Sequence, residues 1–506
     1  MSSKVFSAAT IGLDCQLVEV EADTTAALPG IFIVGLPDKA VDESRERVRS
    51  ALKNSEFEIP RRKVTINLAP ADLKKVGPAY DLPIAISILL TSNQIIQINC
   101  RDKIFIGELA LNGDLRPVSG VLSICLFAKA KGIKNIFLPA ENADEASLVD
   151  GLNVFAFKNL KNLIDHLLGS QIISPHHKSN KVLVDGFDAG LDMAFIKGQE
   201  HVKRALEIAA AGAHNVLLSG PPGAGKTLLA KTMITILPKM TQAESLEVTR
   251  IYSVAGLLPN KKPLIAQRPF RAPHHTASGV SLVGGGSWPK PGEISLAHRG
   301  VLFLDEFPEF PRAVLENLRQ PLEDGIISVS RASGTMVFPA KFILVAAMNP
   351  CLCGYLTDPD RRCTCLPGQI IKYQKKISGP LIDRIDLHIE VPKIKFDKLI
   401  DQQIGVENSD QIRSRVQKAR DIQQNRFSHL GFFTNTEMSS RLTKEFCEVD
   451  QKTTELLRQA VSQFNISARS YFRILKIART IADLAGRKEI SFEHVAEALQ
   501  YRPKVE

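Results

Sequence analysis

The feature that most constrains this chain is a glycine-rich octapeptide, Gly220-Pro221-Pro222-Gly223-Ala224-Gly225-Lys226-Thr227. Its glycines let backbone amides surround a polyphosphate, while Lys226 and Thr227 reach the outer phosphate oxygens and a magnesium ion. An apolar, strand-like run at 215–219 precedes the octapeptide, and a helical pattern at 228–236 follows it. A phosphate-binding loop requires this order of strand, loop and helix, which outweighs the alternative of a simple glycine-rich turn. The sequence therefore predicts a nucleoside-triphosphate site in an α/β domain.

Length and composition narrow the class of protein further. A chain of 506 residues accommodates roughly two to four domains, each with its own core. The net charge of +10 and an isoelectric point near 9.1 favour a polyanionic partner, although many soluble proteins share this mild basic bias. The longest apolar stretch, residues 82–90, is too short to cross a bilayer, and the N-terminal segment lacks the pattern of a secretion signal. We therefore expect a multidomain cytoplasmic protein without a membrane partner.

The pattern of apolar residues divides the chain into four parts. Residues 1–170 mix strand alternation with helical periodicity, which predicts an α+β domain, and residues 171–190 are polar and weakly periodic, as expected of a linker. Residues 191–392 alternate apolar strands with helices and long inserts, which predicts the α/β nucleotide-binding domain. Residues 393–506 show helical periodicity, which predicts a small helical lid.

An acidic pair supplies the next part of a hydrolytic site. Asp305 and Glu306 end the apolar run 301–304, which is expected to form a buried strand and to deliver both carboxylates to the ligand-binding edge of the sheet. Hydrolysis of a triphosphate needs one carboxylate to hold magnesium and a base to orient the attacking water. We assign these roles to Asp305 and Glu306, against the alternative of an ordinary polar strand end.

Two further polar residues are candidates for acting on the phosphate group that reacts. Asn349 follows the apolar run 342–347, where its amide would orient water against the γ-phosphate unless it is a plain loop residue. Arg384 stands among apolar residues, and its guanidinium would stabilise charge on a phosphate held by a neighbouring subunit. The alternative for Arg384 is an ion pair with Asp383 or Asp386 of the same chain.

Together these motifs resemble the AAA+ ATPases of the magnesium-chelatase-like branch, and specifically the bacterial ComM (YifB) family. The resemblance covers nearly the whole chain and rests on GPPGAGKT, GVLFLDE, AAMNP, SGPLIDRIDLHIEV, GIFIVGLPDKAVDESRERVRSAL, VTINLAPADLKKVGPAYDLPIA, FRAPHHTAS and PGEISLAHRG. It implies that Lys226 and Thr227 hold phosphate and Mg²⁺, that Asp305 and Glu306 form the Walker B pair, and that Asn349 is the first sensor. It also implies that Arg384 is a finger acting on the next subunit and that Arg469 is the second sensor on the lid.

The resemblance further implies a function. Members of this family are expected to form a homo-hexameric ring that uses ATP to move along single-stranded and branched DNA. Such a ring drives branch migration of recombination intermediates during natural transformation, alongside recombination proteins. A finger that acts across subunits gives a physical reason for oligomers, because a monomer would leave its own site incomplete.

Two segments lie where this branch carries inserts that face the pore. Residues 268–290 are too rich in glycine and proline for regular structure, and residues 325–339 are typical of a hairpin with a basic tip. Arg271, Lys290 and Arg331 are the candidates for sequence-independent contacts with DNA phosphates. The alternative reading, given equal weight, is that these three residues are solvated surface charges.

Four of the eight cysteines fall within residues 351–365, as Cys351, Cys353, Cys363 and Cys365. Four thiolates have the number and softness that structural zinc requires, although the pairs depart from the usual spacing of zinc ribbons. The alternative is four free thiols on a loop. We expect a structural Zn²⁺ knuckle that stiffens the chain between Asn349 and Arg384.

The first domain resembles the Lon-protease-like fold, of the ribosomal S5 domain 2 type, found at the N-terminus of this family. In Lon proteases a serine follows a Lys-Asp-Gly-Pro stretch, whereas here Lys75-Val76-Gly77-Pro78 is followed by Ala79. The position of the catalytic lysine is matched by Leu122. Because a methyl group cannot attack a carbonyl, we expect no peptidase activity and a role in assembly or DNA engagement.

Two classes of function remain open from the sequence. The leading one is an ATP-driven DNA motor of the helicase type. The alternative is a magnesium-chelatase-like or chaperone-type AAA+ protein that remodels a protein partner without acting on DNA. Stimulation of ATP hydrolysis by single-stranded DNA favours the motor, whereas a response to a protein favours the remodeller.

Overall fold

The computed structural model describes residues 2–95, 98–177, 190–259, 262–286, 289–331, 334–394, 407–464 and 466–502. These residues form two compact units: the first contains Met1–Leu183 and Ser245–Ile265, and the second contains Val184–Glu244 and Ala266–Glu506. Within the described ranges, no helix combines the length and the apolar content that crossing a membrane requires.

The first unit is an α+β structure. Its strands are β1 (Ser3–Ile11), β2 (Asp14–Thr25), β3 (Gly30–Val34), β4 (Lys63–Ala69), β5 (Lys103–Phe105), β6 (Glu108–Leu109), β7 (Leu115–Arg116), β8 (Asn135–Pro139) and β9 (Asn153–Phe157). Its helices are α1 (Lys39–Asn54), α2 (Asp81–Thr91), α3 (Val121–Ala130), α4 (Ala143–Ala146) and α5 (Leu160–Leu168). The sheets have the strand orders β1-β2-β4-β3, β5-β8-β9 and β6-β7. Helix α2 is apolar along almost its whole length, and every one of its residues is buried, as expected of a core helix.

The segment Ser245–Ile265 belongs to the first unit, although the sequence pattern placed it in the nucleotide-binding domain. Arg250 donates hydrogen bonds to the carbonyl of Leu13 at 2.5 Å and to Ser123 Oγ at 3.1 Å. Ser253 donates to the carboxylate of the buried Glu145. These polar contacts between distant parts of the chain explain why a local sequence pattern did not indicate the boundary.

The second unit contains an α/β sheet and a helical C-terminal region. From α6 to β13 its elements are α6 (Glu200–Gly212), β10 (Val216–Ser219), α7 (Lys226–Thr232), β11 (Phe270–Arg271), α9 (Gly279–Val283), β12 (Gly284–Gly285) and β13 (Lys290–Pro291). Helix α8 (Gln242–Ala255) follows α7 in the chain and belongs to the first unit from Ser245 onward. After β13 come α10 (Glu293–Leu296), β14 (Val301–Leu304), α11 (Arg312–Glu316), α12 (Arg319–Asp324), β15 (Ile326–Arg331), β16 (Gly334–Pro339), β17 (Ile343–Met348), α13 (Pro367–Gln374), α14 (Gly379–Ile382) and β18 (Leu387–Glu390). The C-terminal helices are α15 (Ser409–Arg426), α16 (Ser440–Phe446), α17 (Gln451–Phe464), α18 (Ala468–Leu484) and α19 (Phe492–Gln500).

The main sheet is parallel and has the order β11-β14-β17-β10-β18. Its central strands β14 and β17 are buried along their whole length, because apolar side chains cover both faces. The C-terminal helices share one hydrophobic core with this sheet, since residues such as Val216, Val345 and Leu475 belong to the same buried cluster. The parallel arrangement brings the C-terminal ends of β10, β14 and β17 to one edge, where polar side chains from distant positions meet.

Candidate active site

The glycine-rich octapeptide forms a loop between β10 and α7, as its pattern predicts. Gly225 has a φ of +84° immediately before Lys226 opens the helix. This left-handed conformation is unfavourable for residues with a side chain and common for glycine. The chain thereby turns into α7 directly after the loop, and the N-terminus of a helix favours an anionic group.

Lys226 and Asn349 meet because their strands are neighbours. Ser219 of β10 is paired with Met348 of β17, so that the residues that follow each strand lie side by side. The Lys226 ammonium group donates to Asn349 Oδ1 at 3.1 Å and to the carbonyl of Gly220 at 2.6 Å. Burial lowers the pKa of Lys226, and the nearby Asp305 carboxylate opposes that shift. The structure thus brings the predicted phosphate-binding lysine and the predicted first sensor into direct contact.

Asp305 and Thr227 form the second contact of the site. Thr227 Oγ1 donates to Asp305 Oδ2 at 2.7 Å, and Asp305 Oδ1 accepts the backbone N–H of Glu306 at 2.9 Å. A hydroxyl and a carboxylate at hydrogen-bond distance are hard oxygen ligands of the kind that Mg²⁺ uses beside a triphosphate. The donor set at this position therefore fits the predicted ion.

Glu306 has a contact that the sequence pattern did not predict. Its Oε2 lies 3.0 Å from Nδ1 of His275, and the ring of His275 lies 4.1 Å from that of His274. Their proximity to Glu306 follows from the fold, because β11 and β14 are parallel neighbours and each histidine follows β11 as Glu306 follows β14.

Arg384 and Arg469 both bind the carboxylate of Glu323. The pairing of Arg384 therefore differs from the predicted alternatives, Asp383 and Asp386, and Asp386 instead pairs with Arg473 at 3.3 Å. Although burial opposes ionisation, contacts with His214 and Arg473 lower the pKa of Asp386 to about 2. The sequence signal for Glu323 was weak because it follows no apolar strand and lies 61 residues from Arg384.

These two arginines lie at the opposite edge of the sheet from the phosphate loop. The backbone carbonyl of Arg384 accepts a hydrogen bond from Asn215, which stands just before β10, whereas the phosphate loop follows the end of β10. Four residues of extended strand separate these edges by about 13 Å. A cavity of about 500 Å³ on the Asn215 side is lined by Arg384, Arg469 and Lys476. Neither guanidinium is therefore placed at the phosphate loop of its own chain.

The four clustered cysteines converge as the sequence pattern suggested. Their sulfur atoms all lie within 4.8 Å of one another, and Cys351 Sγ is 3.4 Å from Cys353 Sγ and 3.7 Å from Cys363 Sγ. Four sulfurs bound tetrahedrally at about 2.3 Å from zinc would be about 3.8 Å apart, so the cluster has nearly the required size. The backbone N–H groups of Tyr355 and Thr364 lower the pKa of Cys353, whereas, despite a backbone N–H at each sulfur, burial and the neighbouring sulfur atoms raise the pKa of Cys363 and Cys365.

The candidates for DNA contact are placed differently from one another. Arg271 donates two hydrogen bonds to Glu293, at 2.6 and 2.7 Å, so its charge is already balanced within the chain. Lys290 is exposed at the start of β13. The backbone of Arg331 ends β15 of the predicted hairpin, but its side chain, like residues 287–288 and 332–333, lies outside the described residues.

The two positions that the sequence matched to the Lon dyad carry no reactive side chain. Ala79 lies in a short 3₁₀ helix, Pro78–Tyr80. Leu122 is completely buried in α3, and its backbone N–H donates to Glu145 at 2.8 Å. Neither position therefore supplies a nucleophile or an amine base.

Known protein families and several known proteins match most of this chain. The chain matches the families described as magnesium chelatase, subunit ChlI (residues 192–399), subunit ChlI of Mg-chelatase (residues 20–142) and magnesium chelatase, subunit ChlI C-terminal (residues 406–502). It is 45% identical to competence protein ComM of Haemophilus influenzae over 506 residues, covering 99% of this chain and 97% of that protein. It is 41% identical to YifB of Escherichia coli over 502 residues, covering 99% and 97%. Lon protease 2 of Bacillus subtilis is 31% identical over 170 residues, covering 30% of each chain.

Proposed function

This chain belongs to the family of ComM and YifB, within the magnesium-chelatase-like AAA+ proteins, and from that membership we propose that it is an ATP-hydrolysing motor that acts on DNA. In detail, the motor is a homo-hexameric ring that moves along single-stranded and branched DNA. It promotes branch migration of recombination intermediates in natural transformation, in the cytoplasm and alongside recombination proteins. The relative named a competence protein supports the link to DNA.

The observation that carries the proposal is the division of the hydrolytic residues between two edges of one sheet. Lys226, Thr227 and Asp305 lie at the phosphate loop, whereas Arg384 and Arg469 converge at the other edge. A positively charged group that stabilises the transferring phosphate must lie beside it. A second copy of the chain, placed head to tail, would supply that group, and head-to-tail contacts generate rings when the rotation closes.

The roles of the individual residues follow from their chemistry. When ATP and Mg²⁺ bind, the ion shields the phosphate charge, and Thr227 and Asp305 are placed to hold it. Lys226 neutralises the outer phosphates, Asn349 orients water, and Glu306 accepts its proton. The first domain, which lacks the Lon dyad, serves assembly or DNA engagement.

The decisive experiment is unwinding of a labelled four-way DNA junction by the purified protein with and without ATP. We expect strand separation with ATP and none without it, and none from Lys226→Ala, which removes the amine that contacts the loop and Asn349. ATP hydrolysis that ignores single-stranded and branched DNA and yields no separated strands would refute the motor. Such a result would favour the remodeller, which the chelatase family names also allow.

We expect Lys290→Ala to weaken binding to single-stranded DNA a few-fold. One lost phosphate contact should also lower the slope of log affinity against log salt by about 0.7. Fluorescence anisotropy with a labelled oligonucleotide at several salt concentrations measures both quantities. Lys488→Ala, which removes an equally exposed lysine from the C-terminal region, is the matched control. Equal losses in both variants would mean that Lys290 has no specific contact with DNA.

We also propose that the four-cysteine cluster holds a structural Zn²⁺. The purified protein should contain about one zinc per chain by elemental analysis, and Cys353→Ser and Cys363→Ser should each lose most of it and unfold at a lower temperature. Cys447→Ser, which changes a buried cysteine outside the cluster, should keep the metal. Wild-type protein that contains no zinc after purification without chelators would contradict the assignment.

A further inference from the structure

Gly354, which follows the first two clustered cysteines, touches the phosphate loop itself. Its φ is +84°, and a β-carbon added there would lie 2.7 Å from Cδ and 2.8 Å from Cγ of Pro222. Heavy atoms do not approach so closely without displacement of one of them. The ring of Pro222 therefore packs on the bare α-carbon of Gly354, and only glycine leaves room for it.

Two further contacts hold the segment that carries Gly354. The backbone N–H of Gly354 donates to the carbonyl of Cys351 at 3.0 Å, and Cys351 is completely buried within the sulfur cluster. Two residues before Cys351, Asn349 Oδ1 accepts the hydrogen bond from Lys226. The phosphate loop is thus held at Pro222 from one side and at Lys226 from the other by a single stretch of chain that ends in the cysteine cluster.

We propose that the four-cysteine knuckle forms a wall of the ATP site and that Gly354 is a positioning residue that holds the phosphate loop through Pro222. This inference rests on the proposed ATP and metal sites. It goes beyond the role predicted from the sequence, in which the knuckle only stiffens the chain between Asn349 and Arg384. Binding of metal orders the knuckle, the ordered knuckle supports Pro222, and the amides of the loop keep the spacing that a triphosphate requires. Metal occupancy therefore sets the affinity for ATP as well as the stability of the fold.

The first test replaces Gly354 by alanine and measures binding of a fluorescent ATP analogue together with metal content. Overpacking at this contact should weaken ATP binding about tenfold or more. The effect should appear in KM for ATP, with kcat at saturating ATP within about twofold of wild type. The control is Gly486→Ala, which imposes the same change at a φ of +65° where an added β-carbon meets nothing within 4 Å. Wild-type affinity in Gly354→Ala, or an equal loss in Gly486→Ala, would overturn the proposal.

A second variant distinguishes an effect on the contact between Gly354 and Pro222 from a general loss of stability. In Pro222→Ala/Gly354→Ala the ring that meets the new methyl group is absent, so most of the lost ATP affinity should return. If Gly354→Ala loses its metal, recovery of the metal in the double variant again shows that the contact with Pro222 is the cause. Equal loss of metal in both variants would overturn the proposal. ATP binding and metal content require no DNA, so failure of the DNA motor would leave these results interpretable. Absence of ATP binding by the wild-type protein would refute the proposed ATPase itself.

The third test removes the metal from the wild-type protein with a chelator, which is itself removed before excess Mg²⁺ and the ATP analogue are added. We expect the metal-free protein to bind the ATP analogue at least tenfold more weakly and to regain affinity when Zn²⁺ is restored. Circular dichroism shows whether the fold persists during removal. A metal-free protein that remains folded and binds ATP as tightly as before would overturn the proposal.

Discussion

Replacing Glu306 by glutamine is expected to lower ATP turnover about a thousandfold, within the range found for loss of a general base, while ATP binding is retained. The amide has the shape of the carboxylate and can still contact His275, but it cannot accept the proton of the attacking water. The phosphate contacts of Lys226 and Thr227 are unchanged by the substitution. Steady-state hydrolysis and equilibrium binding of a fluorescent ATP analogue measure the two effects separately.

The control for Glu306→Gln is the same exchange at Glu309, three residues further along the chain. Glu309 pairs with Lys376 at 3.0 Å and has a half-exposed side chain. Glu309→Gln should therefore leave turnover within about twofold of wild type, as most exposed substitutions do. If Glu306→Gln hydrolyses ATP at the wild-type rate, another group is the base, and the assignment of Glu306 is wrong.

The central part of the site was predictable because its residues follow buried strands. The continuous apolar runs predicted the bounds of β14 and β17 to within one residue. A parallel sheet then requires that Asp305 and Asn349 lie near the phosphate loop. Helical periodicity placed helices of the C-terminal region in the same way: the patterns at 411–426 and 453–464 predict α15 and α17, each of which begins two residues earlier and ends at the predicted residue.

The contacts that escaped prediction are long-range pairings of polar side chains. Glu323 binds both Arg384 and Arg469, which lie 61 and 146 residues away in sequence. No periodicity marks such a residue, because its partners are determined by the tertiary fold and not by the secondary structure around it. The contact of Gly354 with Pro222 has the same origin. Sequence motifs thus predict which groups bind phosphate, whereas the groups that support or restrain these candidates are found only in the structure.

Glu323 holds Arg384 and Arg469 at one shared position. The carboxylate side chain is 44% exposed, and the guanidinium groups that bind it face the cavity that also contains Lys476. Arg384 and Arg469 together lower the pKa of Glu323, with the hydrogen bond from Arg384 as the largest cause. A carboxylate resembles a phosphate group in its negative charge and in the way its oxygens accept hydrogen bonds from arginine. The arrangement therefore suits a site that receives a phosphate group from outside the chain.

Arg384→Ala is expected to lower ATP turnover about a thousandfold with ATP binding intact, because a finger arginine contributes at least this much in comparable phosphoryl transfers. The matched control is Arg458→Ala, which removes an exposed guanidinium paired with Glu455 in the helical region. That control should hydrolyse ATP at close to the wild-type rate.

The location of Arg384 makes a stronger prediction for mixed assemblies. Arg384→Ala subunits keep a complete phosphate loop, and Lys226→Ala subunits keep the arginine, so a contact between the two kinds restores one complete site. In an equimolar random ring, about one quarter of the interfaces have the productive order, and turnover should recover to about one quarter of the wild-type value. Each variant alone remains inactive. If the mixture is as inactive as its components although both variants assemble, Arg384 acts within its own chain, and the division of the site between two subunits is wrong.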